Sequence, residues 1–263
     1  MHAARCPFAI QAPEPHLTPE FAKTGLLATP LTQPPTRFQV LGERSSGTNF
    51  VKRLLGRNSA LTPTEALGWK HASAQAMAIP PDLAVICVVR APEPWALSMH
   101  SKPWHTTPAM QKLAFSDFIR APWDTVIDRP RYFPGAAEAG TVGQPLQADR
   151  DPVTGARPDT LFALRRMKLA SLTGILNRSC TCVLLRLESL QSAPEAQLDV
   201  LLAALGQPKR TAPFRPVMKR LGSKFKAAVA HRPATPKEIS AEDLAFMRNQ
   251  LDHTQETALG YAI

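Results

Sequence analysis

The segment that most constrains this chain is Leu83–Val89, read LAVICVV. Side chains of a strand alternate between two faces, and here no polar residue alternates with the apolar ones. A strand with no face to offer water lies inside a sheet covered on both sides, which is the habit of parallel sheets between helix layers. Arg37–Leu41 and Cys182–Leu187 read as further buried strands, and Ala66–Lys70 as a weaker one. Helices are expected over Thr48–Leu55, over Pro94–Ser101 with proline at its start, and over Asp159–Leu176 with Asp159 as N-cap. Two more follow over Pro194–Leu205, closed by Gly206, and over Ser240–Leu259, capped by Ser240. The order β-α-β-β-α-α-β-α-α gives an α/β fold class with a mainly parallel central sheet flanked by helices.

Two stretches stand outside this pattern. Residues 1–36 hold seven prolines and no sustained periodicity, which reads as an N-terminal arm, extended or disordered. Residues 103–158 hold eight prolines and only short helical pieces such as Phe115–Arg120. The domain reading is therefore an arm over 1–36 and one α/β domain over 37–263 with a loop-rich insertion at about 103–158. A length of 263 residues suits one such domain better than two.

Composition narrows the function classes. The formal net charge of +10 calls for an anionic partner without naming it. The basic residues are scattered rather than run together, which argues against dedicated nucleic-acid binding. Cys6, Cys87, Cys180 and Cys182 lack the spacing of a zinc site or a disulfide framework, and no metal-ligand cluster is legible. No stretch has the roughly 18 apolar residues of a membrane span, and none at the N-terminus reads as a signal peptide, so the expectation is a cytoplasmic protein.

The chemistry is concentrated in Gly42-Glu-Arg-Ser-Ser-Gly47-Thr-Asn49, between the first clear strand and its helix. Loop N–H groups and the positive end of the helix converge there on an anion. Gly47 lets the backbone come close; Ser45, Ser46 and Thr48 add hydroxyls, Asn49 an amide and Arg44 a forked cation. The spacing is that of G-x-x-x-x-G, but Thr48-Asn49 stands where a triphosphate-binding loop has Lys-Ser/Thr, so the β/γ-phosphate clamp is missing. Two further features accompany the loop. Arg90 ends the strand Leu83–Val89, with Ser98 eight residues on in the following helix. Lys70-His71 closes the weak strand.

Taken together, these segments resemble the sulfotransferases that use 3′-phosphoadenosine 5′-phosphosulfate (PAPS). GERSSGT resembles their 5′-phosphosulfate loop, G-x-R-K-G-G-T, and VICVVR-APEPWAL-S resembles their strand-end Arg and helix Ser, which hold the 3′-phosphate. The resemblance implies a three-layer P-loop-like fold and PAPS as co-substrate. It implies cofactor contacts from Arg44, Ser45, Ser46, Gly47, Thr48, Asn49, Arg90 and Ser98. It makes His71 the base toward the acceptor, with Lys70 and Arg44 as the cations at the leaving 5′-phosphate, since Ser45 stands where the family has lysine. His100 and His105 compete with His71 for the acceptor side. Val183–Leu190 and Glu256–Tyr261 resemble the family's late strand and C-terminal helix more loosely. The acceptor, a hydroxyl or amine of a glycan or small molecule, and the oligomeric state are not readable. Two other readings stand beside this one: a P-loop-type small-molecule kinase, and a non-catalytic anion- or nucleic-acid-binding module.

Overall fold

A computed structural model describes residues 17–31, 33–218 and 224–263. In chain order its elements begin with helix α1 (Pro19–Thr24), strand β1 (Leu26–Ala28), β2 (Arg37–Gly42), helix α2 (Thr48–Asn58), β3 (Thr62–Pro63) and β4 (Leu83–Val89). Helices α3 (Pro92–Ser101), α4 (Pro108–Gln111), α5 (Phe115–Arg120) and α6 (Leu161–Thr173) lead to β5 (Cys182–Arg186). Helices α7 (Leu187–Ser192), α8 (Pro194–Ala204), α9 (Ala241–Gln250) and α10 (His253–Ala258) complete the chain.

The five strands form one sheet in the order β1-β5-β4-β2-β3, parallel except for β1, which runs antiparallel to β5. All seven residues of β4 are buried, and their alternation divides the core in two. Ala84, Ile86 and Val88 pack with Val51, Leu54 and Leu55 of α2 and with Leu198, Leu201 and Leu202 of α8. Val85, Cys87 and Val89 face the other way, onto Leu169 and Leu172 of α6, Phe21 and Leu259. Each buried Val, Leu or Ile contributes about 1.5–3 kcal/mol, which fixes both the register and the helix layers on either face. A third apolar cluster lies under the insertion, where Trp95 and Met99 of α3 meet Phe118, Trp123, Phe162 and Met247.

The chain leaves β2 through α2 to reach β3 on one side, then crosses to β4 on the other. The connections therefore diverge between the carboxyl ends of β2 and β4, the place where open α/β sheets leave a crevice for ligands.

Several expectations change. Of the arm, residues 1–16 lie outside the described residues, but Pro19–Thr24 is a helix and Leu26–Ala28 is an edge strand paired with β5. Ala66–Lys70 is a turn rather than a strand: Gly68 takes φ 85° and breaks the extended run. The buried Gln39 of β2 holds that turn as a strand would, donating from Nε2 to Gly68 O at 2.8 Å and accepting from Leu67 N–H at Oε1, also 2.8 Å. Thr160, not Asp159, caps α6, its hydroxyl accepting from Ala163 N–H. The last helix divides at Leu251, because the Asp252 carboxylate accepts from Gln255 N–H and starts a new one.

Candidate functional site

The segment Gly42–Asn49 begins at the end of β2 and runs into α2. Gly47, at φ 91°, is the N-cap. The first helical bonds run from Phe50 and Val51 N–H to Gly47 O, so the N–H groups of Gly47, Thr48 and Asn49 precede the ladder and have no hydrogen-bond partner among the described residues. Such donors at the positive end of a helix favour an anion. Gly42 could carry no side chain, since a Cβ there would lie 2.7 Å from Val88 O and 2.6 Å from Ser46 Oγ.

The loop's side chains divide their work differently from the sequence expectation. Ser46 is fully buried and its hydroxyl donates to Glu43 O at 2.7 Å, closing the loop on itself. Ser45 sits at φ 65°, and its carbonyl accepts from Arg90 Nη1 at 2.9 Å. Thr48 is buried, while Asn49 is exposed and its Oδ1 accepts from Lys70 Nζ at 2.6 Å. Arg90, half-buried, thus stands beside the loop, as parallel pairing of β2 with β4 requires. Burial lowers its pKa from the usual guanidinium value. Ser98 lies two turns into α3, half-buried, with no hydrogen bond from its hydroxyl to any described residue.

Arg44 does not face the anion as the resemblance implies: it turns under the loop, its side chain 4 % exposed, and donates from Nη2 to Asp149 Oδ2 at 2.6 Å. The guanidinium also lies over Trp69 at 5.5 Å and Trp123 at 5.4 Å. The same carboxylate oxygen accepts from Trp123 Nε1 and Thr125 Oγ1, and Lys168 Nζ approaches its other oxygen at 3.5 Å. Burial opposes the charge on Asp149, but Arg44 and Lys168 outweigh it and hold the carboxyl at about 2. Burial pushes the Lys168 ammonium down to about 8 against the pull of Asp149. The insertion therefore supplies the counter-ion of the loop.

A second buried group lies alongside. Arg165, fully buried, donates to Glu43 Oε2 at 2.9 Å, to both oxygens of Glu256 at 2.5 and 2.8 Å, and to Arg90 O at 2.9 Å. One guanidinium thus joins the loop, the end of β4 and α10. Two carboxylates share it, and burial pushes Glu43 up to about 8 against the pull of Arg165. Among the described residues its Oε1 has no hydrogen-bond partner, and neither do Arg44 Nε and Nη1. These atoms line a cavity of about 10 Å³ shared with His71, Trp95, Met99, Leu164 and Lys168, the room that one water molecule needs. The loosely resembling segments Val183–Leu190 and Glu256–Tyr261 meet here as well: Glu188 accepts from Ala91 N–H and from Tyr261 OH.

Lys70 and His71 reach the loop from the Gln39-held turn. Gly42 N–H donates to Lys70 O at 3.0 Å, and His71 Nδ1–H donates to Gly42 O at 2.6 Å. That bond fixes the tautomer and leaves Nε2 bare. Burial, then the Lys70 charge, push the imidazole well below its ordinary value, so His71 is neutral at pH 7. Burial also lowers Lys70, with Lys52 adding to it. His100 is buried with both ring nitrogens engaged, by Thr235 Oγ1 and Leu113 O, which is a packing role. His105 bonds Asp128 Oδ1 through Nδ1 at 2.6 Å.

Trp69 is the hub the sequence did not single out. His71, His105 and Phe133 lie 5.3, 5.7 and 5.3 Å from its ring, with the Arg44 guanidinium over it. It joins loop and insertion in one site. Asp149 and Asp128 gave no sequence signal, lying in an irregular stretch. Arg165 and Lys168 did: they fall within the apolar stripe Leu161, Leu164, Leu169, Leu172 of α6, and charges on a buried face need buried partners. Among the described residues no His, Cys, Asp and Glu cluster could hold a metal, and no helix is long and apolar enough to cross a membrane. Compared with protein-family models, with curated proteins and with solved structures, the chain matches none of them.

Proposed function

We propose that this chain is a PAPS-dependent sulfotransferase with a P-loop-like sheet, transferring a sulfuryl group to a hydroxyl or amine of a glycan or small molecule. The observation that carries the reading is Arg90 at the end of β4, bonded to Ser45 O beside the N–H groups of Gly47, Thr48 and Asn49, which have no hydrogen-bond partner among the described residues. One anion site and one strand-end cation then face the same crevice, as a cofactor phosphorylated at both 5′ and 3′ positions needs. The 5′-phosphosulfate takes the N–H groups at the start of α2, and Lys70, held by Asn49, is the cation nearest the leaving phosphate. Arg90 and Ser98 take the 3′-phosphate. Arg44 keeps the loop's shape through Asp149 rather than touching the cofactor. Donors preorganised at the leaving oxygen each contribute ~10²–10³ in rate. The acceptor's proton goes to a neutral imidazole beside Trp69, where both His71 and His105 stand.

The test is calorimetric titration with PAP, the desulfated cofactor. Wild type binds, and Arg90→Ala binds about 10- to 100-fold more weakly, as loss of a charged hydrogen bond of about 1.5–3 kcal/mol requires. A wild type that binds no PAP overturns the proposal.

A second reading, a non-catalytic anion-binding module, is favoured by a cavity of about 340 Å³ at the far end of α2, lined by Arg57, Lys209, Arg210 and Arg215 among others. Arg210 is engaged by Glu195 and Asp199 and Arg57 donates to Pro216 O at 3.0 Å, while Lys209 and Arg215 form no ion pair among the described residues. Binding of an anion lost in Lys209→Glu/Arg215→Glu but kept in Arg90→Ala selects this reading.

A further inference from the structure

We infer that His105, oriented by Asp128, is the catalytic base of this site, and that His71 is not. The inference rests on the sulfotransferase reading and adds a catalytic pair supplied wholly by the insertion.

Four observations meet at His105. The first is backbone strain. His105 is one of two described non-glycine residues with positive φ, at 66°, a conformation that persists only where the surroundings impose it. They do so here: His105 O accepts from Val126 N–H at 2.8 Å, Thr106 bridges to Thr125, and Gln111 Nε2 donates to Thr106 O at 2.9 Å. The strained backbone carries the ring to Asp128.

The second is the pair itself. Nδ1–H donates to Asp128 Oδ1 at 2.6 Å, while Asp128 Oδ2 takes Arg129 Nε at 3.2 Å, so the carboxylate is held from both sides. Arg129 is itself fixed by stacking over Trp104 at 4.8 Å and by Lys226 O. The tautomer is therefore set, and Nε2 makes no hydrogen bond with any described residue. Burial lowers the imidazole's pKa against the pull of Asp128, which leaves a neutral ring at pH 7 with a carboxylate ready to stabilise the imidazolium.

The third is the enclosure. Trp69, Trp104, Tyr132 and Phe133 surround His105 at ring distances of 4.9–6.2 Å, most of them edge-on. His105 itself is 4 % exposed and the four rings are half-buried, so they form a wall that limits water at the imidazole.

The fourth is the contrast with His71. Its Nδ1 partner is a neutral carbonyl, and its charged neighbours, Lys70 and Arg44, are cations. Arg44 faces both rings, but only His105 has carboxylates, Asp128 and Asp149, set against it. Both rings contact Trp69, so the choice of base does not move the reaction to another site.

In the step, the acceptor oxygen forms a bond to sulfur while the bond from sulfur to the 5′-phosphate oxygen breaks. The electron pair leaves on PAP, and the acceptor proton passes to His105 Nε2. Water serves as acceptor for the test, so the probe is PAPS alone, with PAP release followed over time and PAP affinity measured in parallel. The variants are His105→Ala, His105→Asn, Asp128→Asn and His71→Ala. Asn tolerates positive φ and keeps a donor for Asp128, so His105→Asn preserves the local fold. Loss of base catalysis lowers the rate ~10²-fold or more in both His105 variants with PAP affinity unchanged, and added imidazole restores part of it in His105→Ala. Asp128→Asn lowers kcat in the same direction. Full turnover in His105→Asn, a rate loss confined to His71→Ala, or a PAP-binding wild type that releases no PAP from PAPS each overturns the inference. Absence of PAP binding instead removes the sulfotransferase reading, and this inference with it.

Discussion

Arg44 and Asp149 meet at 2.6 Å beneath the loop, 105 residues apart in the chain and each almost fully buried. The pair sets the loop's conformation from the insertion's side. Removing one partner leaves an uncompensated buried charge, which costs about 3–5 kcal/mol. Asp149→Ala is expected to lower the unfolding free energy by that amount in urea titration. An Arg44→Met/Asp149→Leu double variant, which removes both charges, recovers much of the loss.

Glu43 provides a pH signature. Its folded pKa of about 8 lies above the ordinary value of 4.5, because burial disfavours the carboxylate. The folded state therefore binds this proton more tightly than the unfolded chain does. The contribution is complete below pH 4.5 and is lost as pH rises through 8. Glu43→Gln mimics the protonated form, so wild type loses stability between pH 6 and pH 9 that the variant keeps. Urea midpoints at the two pH values measure the difference; equal slopes in both proteins refute it.

Asp149 carries the opposite sign at the acid end. Its folded pKa of about 2 lies below the ordinary 3.8, so its contribution is present above pH 3.8 and is lost as pH falls through 2. The difference amounts to about 2 kcal/mol. Wild type is expected to show this added acid lability relative to Asp149→Asn when the stability of both is followed by circular dichroism from pH 5 downward.

Gly47 is required twice over. Its φ of 91° disfavours any side chain, and a Cβ would lie 2.5 Å from a methyl of Leu187. Gly47→Ala should destabilise by about 1–3 kcal/mol. Leu187→Ala in the same chain relieves the contact but not the strain, so a double-mutant cycle returns a coupling that favours the pair yet falls short of full rescue.

Gln39 holds the turn that carries Lys70 and His71 with two hydrogen bonds of 2.8 Å. Gln39→Leu frees the Leu67 N–H. Its hydrogen exchange is expected to accelerate markedly, while amides of β4 remain protected.

What the sequence disclosed followed from local rules. The unbroken apolar run of β4 announced its burial on both faces, and Ser240 capped α9 as its side chain implies. Asp252 with Gln255 three residues on was an equally local helix-start signal, and it divides the final helix. The candidate site was legible in its backbone part, the turn between β2 and α2 and the strand-end Arg90. Its charge pairing was not. Arg44 meets Asp149, and His105 meets Asp128, through an irregular segment whose path is set by tertiary bonds such as Trp123 N–H to Pro158 O rather than by periodicity. Lys70 and His71 lay close to their expected place for a different reason: a side-chain amide on β2 substitutes for the ladder of a strand that Gly68 forbids.

The strands at the two sides of the sheet are brief, three residues in β1 and two in β3. Beyond β3 the chain turns away, with Pro63 as its last residue, which has no N–H to offer. A neighbouring molecule that approached either side would find too little exposed ladder to extend. The apolar strands β5 and β2, which these margins cover, are thus sealed from intermolecular pairing once folded, and only a chain that has not yet closed its margins presents them. Colloidal stability of this protein is accordingly a property of its completed sheet, and aggregation should track the population of molecules in which β1 has come away from β5.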